Sequence, residues 1–155
     1  MDLVYNAGMS ANERKDLHMK QAASYIRYFQ DTRDKIYDKD IQNSTDEMIR
    51  ALRDLRDLQY WFDSGEYELD RFYDKYLPFL NMIFENYLKL ESSWNFEELK
   101  KVKEKLIKTI GQVIDVIQQI MKILPMDEMS DASAEIKAKQ AKEELDRKYS
   151  RLENL

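Results

Sequence analysis

"FYDKYLPFLNMIFENYLKL", residues 72–90, keeps a helical rhythm of apolar residues from end to end, yet Pro78 stands in its middle. Leu69, Tyr73, Tyr76, Leu80, Ile83, Tyr87 and Leu90 step alternately by four and three. That spacing holds one seam against neighbouring helices. A proline inside a helix removes a backbone donor and clashes with the preceding turn, at roughly 3 kcal/mol. The seam nevertheless has the same phase on both sides of Pro78, and Pro78 lies off it. The pattern predicts one helix kinked at Pro78, with two abutting helices as the alternative, because the residue before a proline resists helical geometry. A helix with such a seam needs helical partners, so this stretch points to an all-α antiparallel bundle.

The flanking sequence supplies those partners. Ser10-Ala11-Asn12-Glu13 matches a capping box, in which the hydroxyl and the carboxylate each satisfy an orphan backbone donor. A first helix follows to about Lys39, with Ala22, Tyr25, Phe29, Thr32 and Ile36 on one face. DKDIQN then reads as a turn. Ser44-Thr45-Asp46-Glu47 is a second capping box, followed by a stripe of Met48, Leu52, Leu55, Leu58 and Phe62. Asp63-Ser64-Gly65-Glu66 is a third, opening the Pro78 helix. Ser93 or Asn95 caps a fourth helix, from about Phe96 to Leu124, whose seam is Leu99, Leu106, Ile110, Val113, Ile117, Ile120 and Leu124. Ile107, Ile114, Val116, Met121 and Ile123 widen it, so this helix is expected to be the most buried. Gly111 within it suggests close packing. Pro125 and MDEMSD end it. Asp131 or Ser133 caps a final helix, about 131–152, with the thin stripe Ile136, Ala138, Ala141, Leu145, Tyr149 and Leu152. A stripe that thin docks weakly or leaves the helix as an arm. The reading is a single domain of about five helices over 10–155, preceded by a flexible 1–9, with no sustained period-two alternation.

Composition bounds the function. The 155 residues are 35% charged, with Gly 3 and Pro 2, which suits helices with solvated faces. Cys 0 excludes disulfides, thiolate nucleophiles and Cys-ligated metals. A net charge of −5 disfavours general binding to nucleic acid or anionic lipid. No apolar run reaches membrane-spanning length, and MDLVYNAGMSANERK has neither a basic start nor an apolar signal core. The cytoplasm is the default compartment.

The chemistry-bearing residues are sparse. The one histidine, His18, lacks the Glu-x-x-His partners of a di-iron bundle and reads as an ordinary first-helix side chain. Asp38-Lys39-Asp40-Ile41-Gln42 faintly resembles the Asp-x-Asp phosphatase motif, but a helix end precedes it instead of a strand. Lys100, Lys101, Lys103, Lys105 and Lys108 form a basic run diluted by Glu97, Glu98 and Glu104, the pattern of a solvated face. Tyr60-Trp61-Phe62 is denser. Three consecutive aromatics cannot all face one core, so Tyr60, Trp61, Tyr67 and the loop residue Trp94 are the candidate interaction surface. No catalytic, cofactor-binding or metal-binding residues are expected.

Phe72, Tyr76-Leu77-Pro78, Leu80, Ile83, Glu85 and Tyr87 resemble the F-x-x-Y-Y-L-P…L-L-E-x-Y stretch of the bacterial XpaC-like family, whose members are called 5-bromo-4-chloroindolyl phosphate hydrolysis proteins. Asp131-Ala132-Ser133-Ala134-Glu135-Ile136 is similar to that family's D-x-S-A-E-I segment. Lys75 and Phe79 depart from the family pattern. The resemblance implies a helical domain in which Phe72, Tyr76, Leu77, Pro78 and Tyr87 pack and bend helices. It also implies a setting near toxic-anion resistance proteins. The leading expectation is a non-enzymatic interaction or scaffold protein with a protein partner, or a homo-oligomer, and with no cofactor. The alternatives are a phosphate-ester hydrolase using Asp38 or Asp40, and a peripheral membrane protein binding through Lys100–Lys108.

Overall fold

The computed structural model describes residues 8–128 and 132–153. They form five helices and, among the described residues, no strand. The element α1 spans Ala11–Lys35, capped by Ser10, whose Oγ accepts from the Glu13 N–H at 3.2 Å. It stops short of Lys39, because Ile36 turns to extended backbone (φ −92°, ψ 132°) and carries the chain out of the helix.

The next helix, α2, spans Lys39–Trp61. Its start differs from the expected one. DKDIQN is not a turn: Asp38 is the cap, its carboxylate accepting from the Ile41 N–H at 3.1 Å. Ser44 and Thr45 therefore lie inside the helix, where Thr45 Oγ1 donates back to the Ile41 carbonyl at 2.7 Å.

A third helix, α3, runs over 66–91 in three abutting segments: Glu66–Arg71, a π-helical turn Phe72–Tyr76, and Leu77–Glu91. The chain passes through Pro78 without a break. The wide turn sits just ahead of the proline, and the Leu77 N–H bonds the Phe72 carbonyl, five residues back. In that register the Tyr73 carbonyl would look to residue 78, which has no N–H to give. A side chain serves instead: the Tyr25 hydroxyl of α1 donates to the Tyr73 carbonyl at 3.2 Å. The seam is buried from Leu69 to Tyr87 as its spacing predicts, and Leu90 at its end is half-buried. Leu69, Tyr73, Tyr76, Leu80, Ile83 and Tyr87 are all buried, with Phe72, Leu77 and Phe84 beside them.

Two further helices complete the fold: α4, Phe96–Met126, capped by Asn95 Oδ1, and α5, Ala132–Glu153. The apolar side of α4 is fully enclosed at Leu106, Ile110, Val116, Ile117, Ile120, Ile123 and Leu124. Gly111 is not a close-packing site. It lies on the exposed side, with open space where a Cβ would stand.

Consecutive helices alternate in direction, but the packing order is α1–α2–α4–α3. The helices α1 and α3 run parallel, joined by Arg14–Glu66 near one end and Tyr28–Glu85 further up. Similarly α2 lies along α4, so the connection between α2 and α3 crosses the end of the bundle diagonally. Ser64 Oγ in that crossing donates to the Leu124 carbonyl at 2.7 Å. Gly65 follows at φ +79°, against Leu124, and no side chain caps the helix start there, contrary to the third expected capping box. The last helix lies back along α4 and the first half of α3. Ala134, Ala138, Ala141, Leu145, Tyr149 and Leu152 are buried, whereas Ile136 is exposed. Asp131 lies outside the described residues, and Ser133 falls within the helix.

Candidate functional site

The main concavity opens where the N-terminal turns of α3, the end of α4 and the middle of α5 meet. It has a volume of about 530 Å³. Five carboxylates line it, those of Asp63, Glu66, Glu68, Asp127 and Asp146, against two cations, Arg71 and Lys142. Tyr67 lines it too and is 65% exposed. A shallower hollow continues along α5 past Glu135, Lys139 and Glu143.

The two cations are fixed by their neighbours. Arg71 bonds Asp146 at 2.5 Å and lies over the rings of Tyr149, Tyr67 and Tyr76, at 4.5, 5.4 and 6.0 Å from their centroids. Tyr76 and Tyr149 stack with centroids 3.8 Å apart. Arg71 therefore rivets α5 to α3 through charge and cation–π attraction together. Lys142 bonds Asp127 at 2.9 Å and stands 3.8 Å from Glu68. Glu68 is buried, and burial pushes its carboxyl above the ordinary value against a bond from its own backbone and the pull of Lys142. The other two carboxylates are paired as well, Glu66 with Arg14 at 2.9 Å and Asp63 with Lys15 at 2.5 Å, so five acidic groups meet four basic ones and the surface keeps a single negative excess beside the aromatic edge. The carboxylates do not converge: among the described residues no group of three His, Cys, Asp or Glu is placed to hold a metal ion.

The four aromatics proposed as one surface fall at two ends of the bundle. Tyr60 (62% exposed) and Trp61 (75%) stand at the end of α2, ring to edge at 5.3 Å, at the same end as Tyr67 and the cleft. Trp94 is at the opposite end, in the α3–α4 connection, edge-on to Phe96 at 6.2 Å. Exposed Tyr37 belongs to that end as well, its N–H shared by the two Glu91 carboxylate oxygens. The sequence pattern did not single out Tyr37 or Phe96, since each sits at a helix junction where periodicity says nothing. Of the resembling residues, Phe72, Tyr76, Leu77 and Tyr87 are core, and Pro78 is half-buried.

Asp38 and Asp40 meet around a cation. Lys103 of α4 bonds Asp38 at 2.8 Å and Asp40 at 3.0 Å. Burial pushes the Asp38 carboxyl up, while Lys103 and the Ile41 N–H outweigh it and hold it below its ordinary value. Lys100, Lys101, Lys105 and Lys108 are exposed along α4.

His18, read from the sequence as an ordinary side chain of the first helix, lies in that helix and faces the core. It is 3% exposed, with Nε2 at 2.6 Å from Asp70 Oδ1, and its ring stacks on Tyr73. The Tyr73 hydroxyl donates in turn to Gln59 Oε1 of α2. These polar groups tie α1, α2 and α3 together inside the bundle. The void beside His18 measures about 10 Å³, room for one water at most, so the chain of bonds is internal framing. Its signal was present in the sequence: His18 precedes Ala22 by four, in phase with the core stripe.

No family model, no curated protein and no solved structure matches this chain. No described helix is long and apolar enough to cross a membrane.

Proposed function

We propose that this chain is a helical interaction module of the bacterial cytoplasm, an adaptor and not an enzyme, which takes a basic segment of a protein partner into the cleft between α3 and α5. One observation carries the reading: five carboxylates line the cleft beside an exposed tyrosine, and the four cations paired with them leave an acidic excess. Cationic side chains are drawn to such a surface by charge and stack well on Tyr and Trp. Tyr60 and Trp61, exposed at the same end, extend the aromatic rim. The resemblance to the XpaC-like family supports a stress-response setting, with a toxic-anion resistance protein as the partner. The burial of Phe72, Tyr76, Leu77 and Tyr87 fits a motif that packs helices. The engagement of Asp38 and Asp40 with Lys103 favours an ion-pair role for them over that of a hydrolase nucleophile.

The two tryptophans make the test direct, because they stand at opposite ends. With Trp94→Phe, Trp61 alone reports on the cleft end. With Trp61→Phe, Trp94 reports on the other. A Lys/Arg-rich peptide is expected to shift Trp61 emission and leave Trp94 unchanged, whereas a Glu-rich control moves neither. Asp63→Lys with Glu66→Lys is expected to abolish the response. A silent Trp61, or metal-dependent hydrolysis of a phosphate ester that is lost in Asp38→Asn, would overturn the reading.

A further inference from the structure

We propose that α5 is exchanged between two copies of this chain, so that each cleft takes its α5 wall from the other copy. The proposal concerns the assembly of the cleft and rests on the reading of that cleft as the binding site. The helices α1 to α4 close a ring without α5, which lies outside it. Undocking α5 leaves that ring closed and bares a groove containing Tyr76 and Gln119, now 3% and 7% exposed. Whatever fills the groove must offer a ring to Tyr76 and an acceptor to Gln119, whose Nε2 donates to the Ala141 carbonyl at 3.0 Å. It must also bring a carboxylate to Arg71. Tyr149, Ala141 and Asp146 do this at the required spacing, and a second copy carries the same three. Identity of sequence makes the complementarity in trans equal to that in cis.

Two features make exchange accessible. The half of α5 nearest α4's end is buried through small residues, Ala134, Ala138 and Ala141, while the large anchors Leu145, Tyr149 and Leu152 are all in the far half. Local opening can therefore occur well short of global unfolding. The connection 127–131 contains neither Gly nor Pro. By contrast, the diagonal crossing is committed to its path by Gly65 at φ +79° and by the Ser64 bond to Leu124. Short connections next to a separable element favour exchange.

Linker length separates exchange from every other mode of pairing. Light scattering across a concentration series would be run on the natural chain, on a deletion of residues 128–130, and on a chain with a flexible Gly/Ser insertion after Glu128. The natural chain is expected to show twice the monomer mass at high concentration. The shortened chain, unable to fold α5 back, is expected to be dimeric throughout, and Tyr149→Ala in it should restore the monomer. The lengthened chain is expected to be monomeric. A shortened chain that is folded by circular dichroism yet monomeric would overturn the proposal. If the shortened chain does not fold, the other two decide: a natural chain that stays monomeric, or a dimer indifferent to the insertion, would overturn it equally. No peptide enters these measurements, so their failure is separate from failure of the Trp61 response.

Discussion

At the scale of single residues, Pro78 and Tyr25 form one unit. Proline removes the donor that the Tyr73 carbonyl would use in the π-helical register, and the Tyr25 hydroxyl replaces it. Tyr25→Phe is therefore expected to cost ~1 kcal/mol, the usual net worth of such a bond. In a Pro78→Ala background a backbone N–H becomes available, and the same substitution should cost only a few tenths, about 0.3 kcal/mol. A double-mutant cycle by urea denaturation reads the coupling, and additive effects would refute the pairing. Gly65 is the other position where a single atom matters. Its φ of +79° disfavours any side chain, and a Cβ would overlap Leu124 Cδ2. Gly65→Ala should lower stability by about 1–3 kcal/mol, and Gly111→Ala, on an exposed helical face with open space, should raise it slightly. The sequence distinguished neither glycine, because what separates them is a tertiary neighbour and the sign of φ. It did show that the seam keeps phase through Pro78. It could not show the wide turn, because apolar spacing does not record which carbonyl each N–H chooses.

At the scale of elements, helix interiors were legible, as were the starts at Ser10 and Asn95, whereas the starts of α2 and α3 were not. For α2 the sequence pattern offered only the box at Ser44, and Asp38, read as part of a turn, is the cap instead. The helix starts at Asp38, whose carboxylate accepts from the Ile41 N–H and also bonds Lys103, sixty-five residues later. The ion pair that accompanies this cap is a tertiary contact that local pattern does not carry. The docking of α5 has the same character. Its thin apolar stripe was visible, but the ionic and aromatic rivet at Arg71 was not, because its parts come from α3 and α5. Arg71→Ala is expected to loosen α5 by ~1 kcal/mol, mostly through lost stacking on Tyr149, since Asp146 is well exposed and its ion pair is screened. Hydrogen exchange confined to α5 would detect it, and unchanged protection there would contradict the assignment. Glu68→Gln should act in the opposite sense. Burial raises the Glu68 carboxyl above its ordinary value, so its ionisation costs more in the folded chain than in the unfolded one, while Lys142 keeps Asp127 as its closer partner. The amide is expected to leave stability unchanged or higher at pH 7, with the difference vanishing in acid as Glu68 itself protonates.

At the scale of the whole molecule, the buried tyrosines bind the helices to one another and set a limit on pH. The bundle could be read from periodicity, but not its packing order, since nothing local tells α2 to choose α4 over α3. The polar frame was hidden for a related reason. His18, Gln59, Asp70 and Tyr73 lie on three helices, and only the fold brings them together. Each occupies a core-phase position, so a polar residue in phase was the available hint. Burial, with Asp74 nearby, pushes Tyr25 up to about 12; burial and the bond to Glu85 push Tyr28 to about 12. Tyr73, Tyr87 and Tyr149 are raised in the same direction, burial being the main cause in each. The sign follows from linkage. A tyrosine whose folded value lies above its unfolded value of about 10 keeps its proton longer in the native state. Its contribution is complete below pH 10 and is lost as the pH rises towards the folded value. The melting temperature should therefore stay level from pH 8 to 9.5 and fall steeply between pH 10 and 12, with phenolate absorbance appearing together with loss of helix. Tyr28→Phe removes one of these ionisations while keeping the ring against Phe29, so its alkaline decline should be shallower than that of the natural chain. Tyrosines that titrate near pH 10 with the helices intact would mean that their hydroxyls are not held inside the bundle.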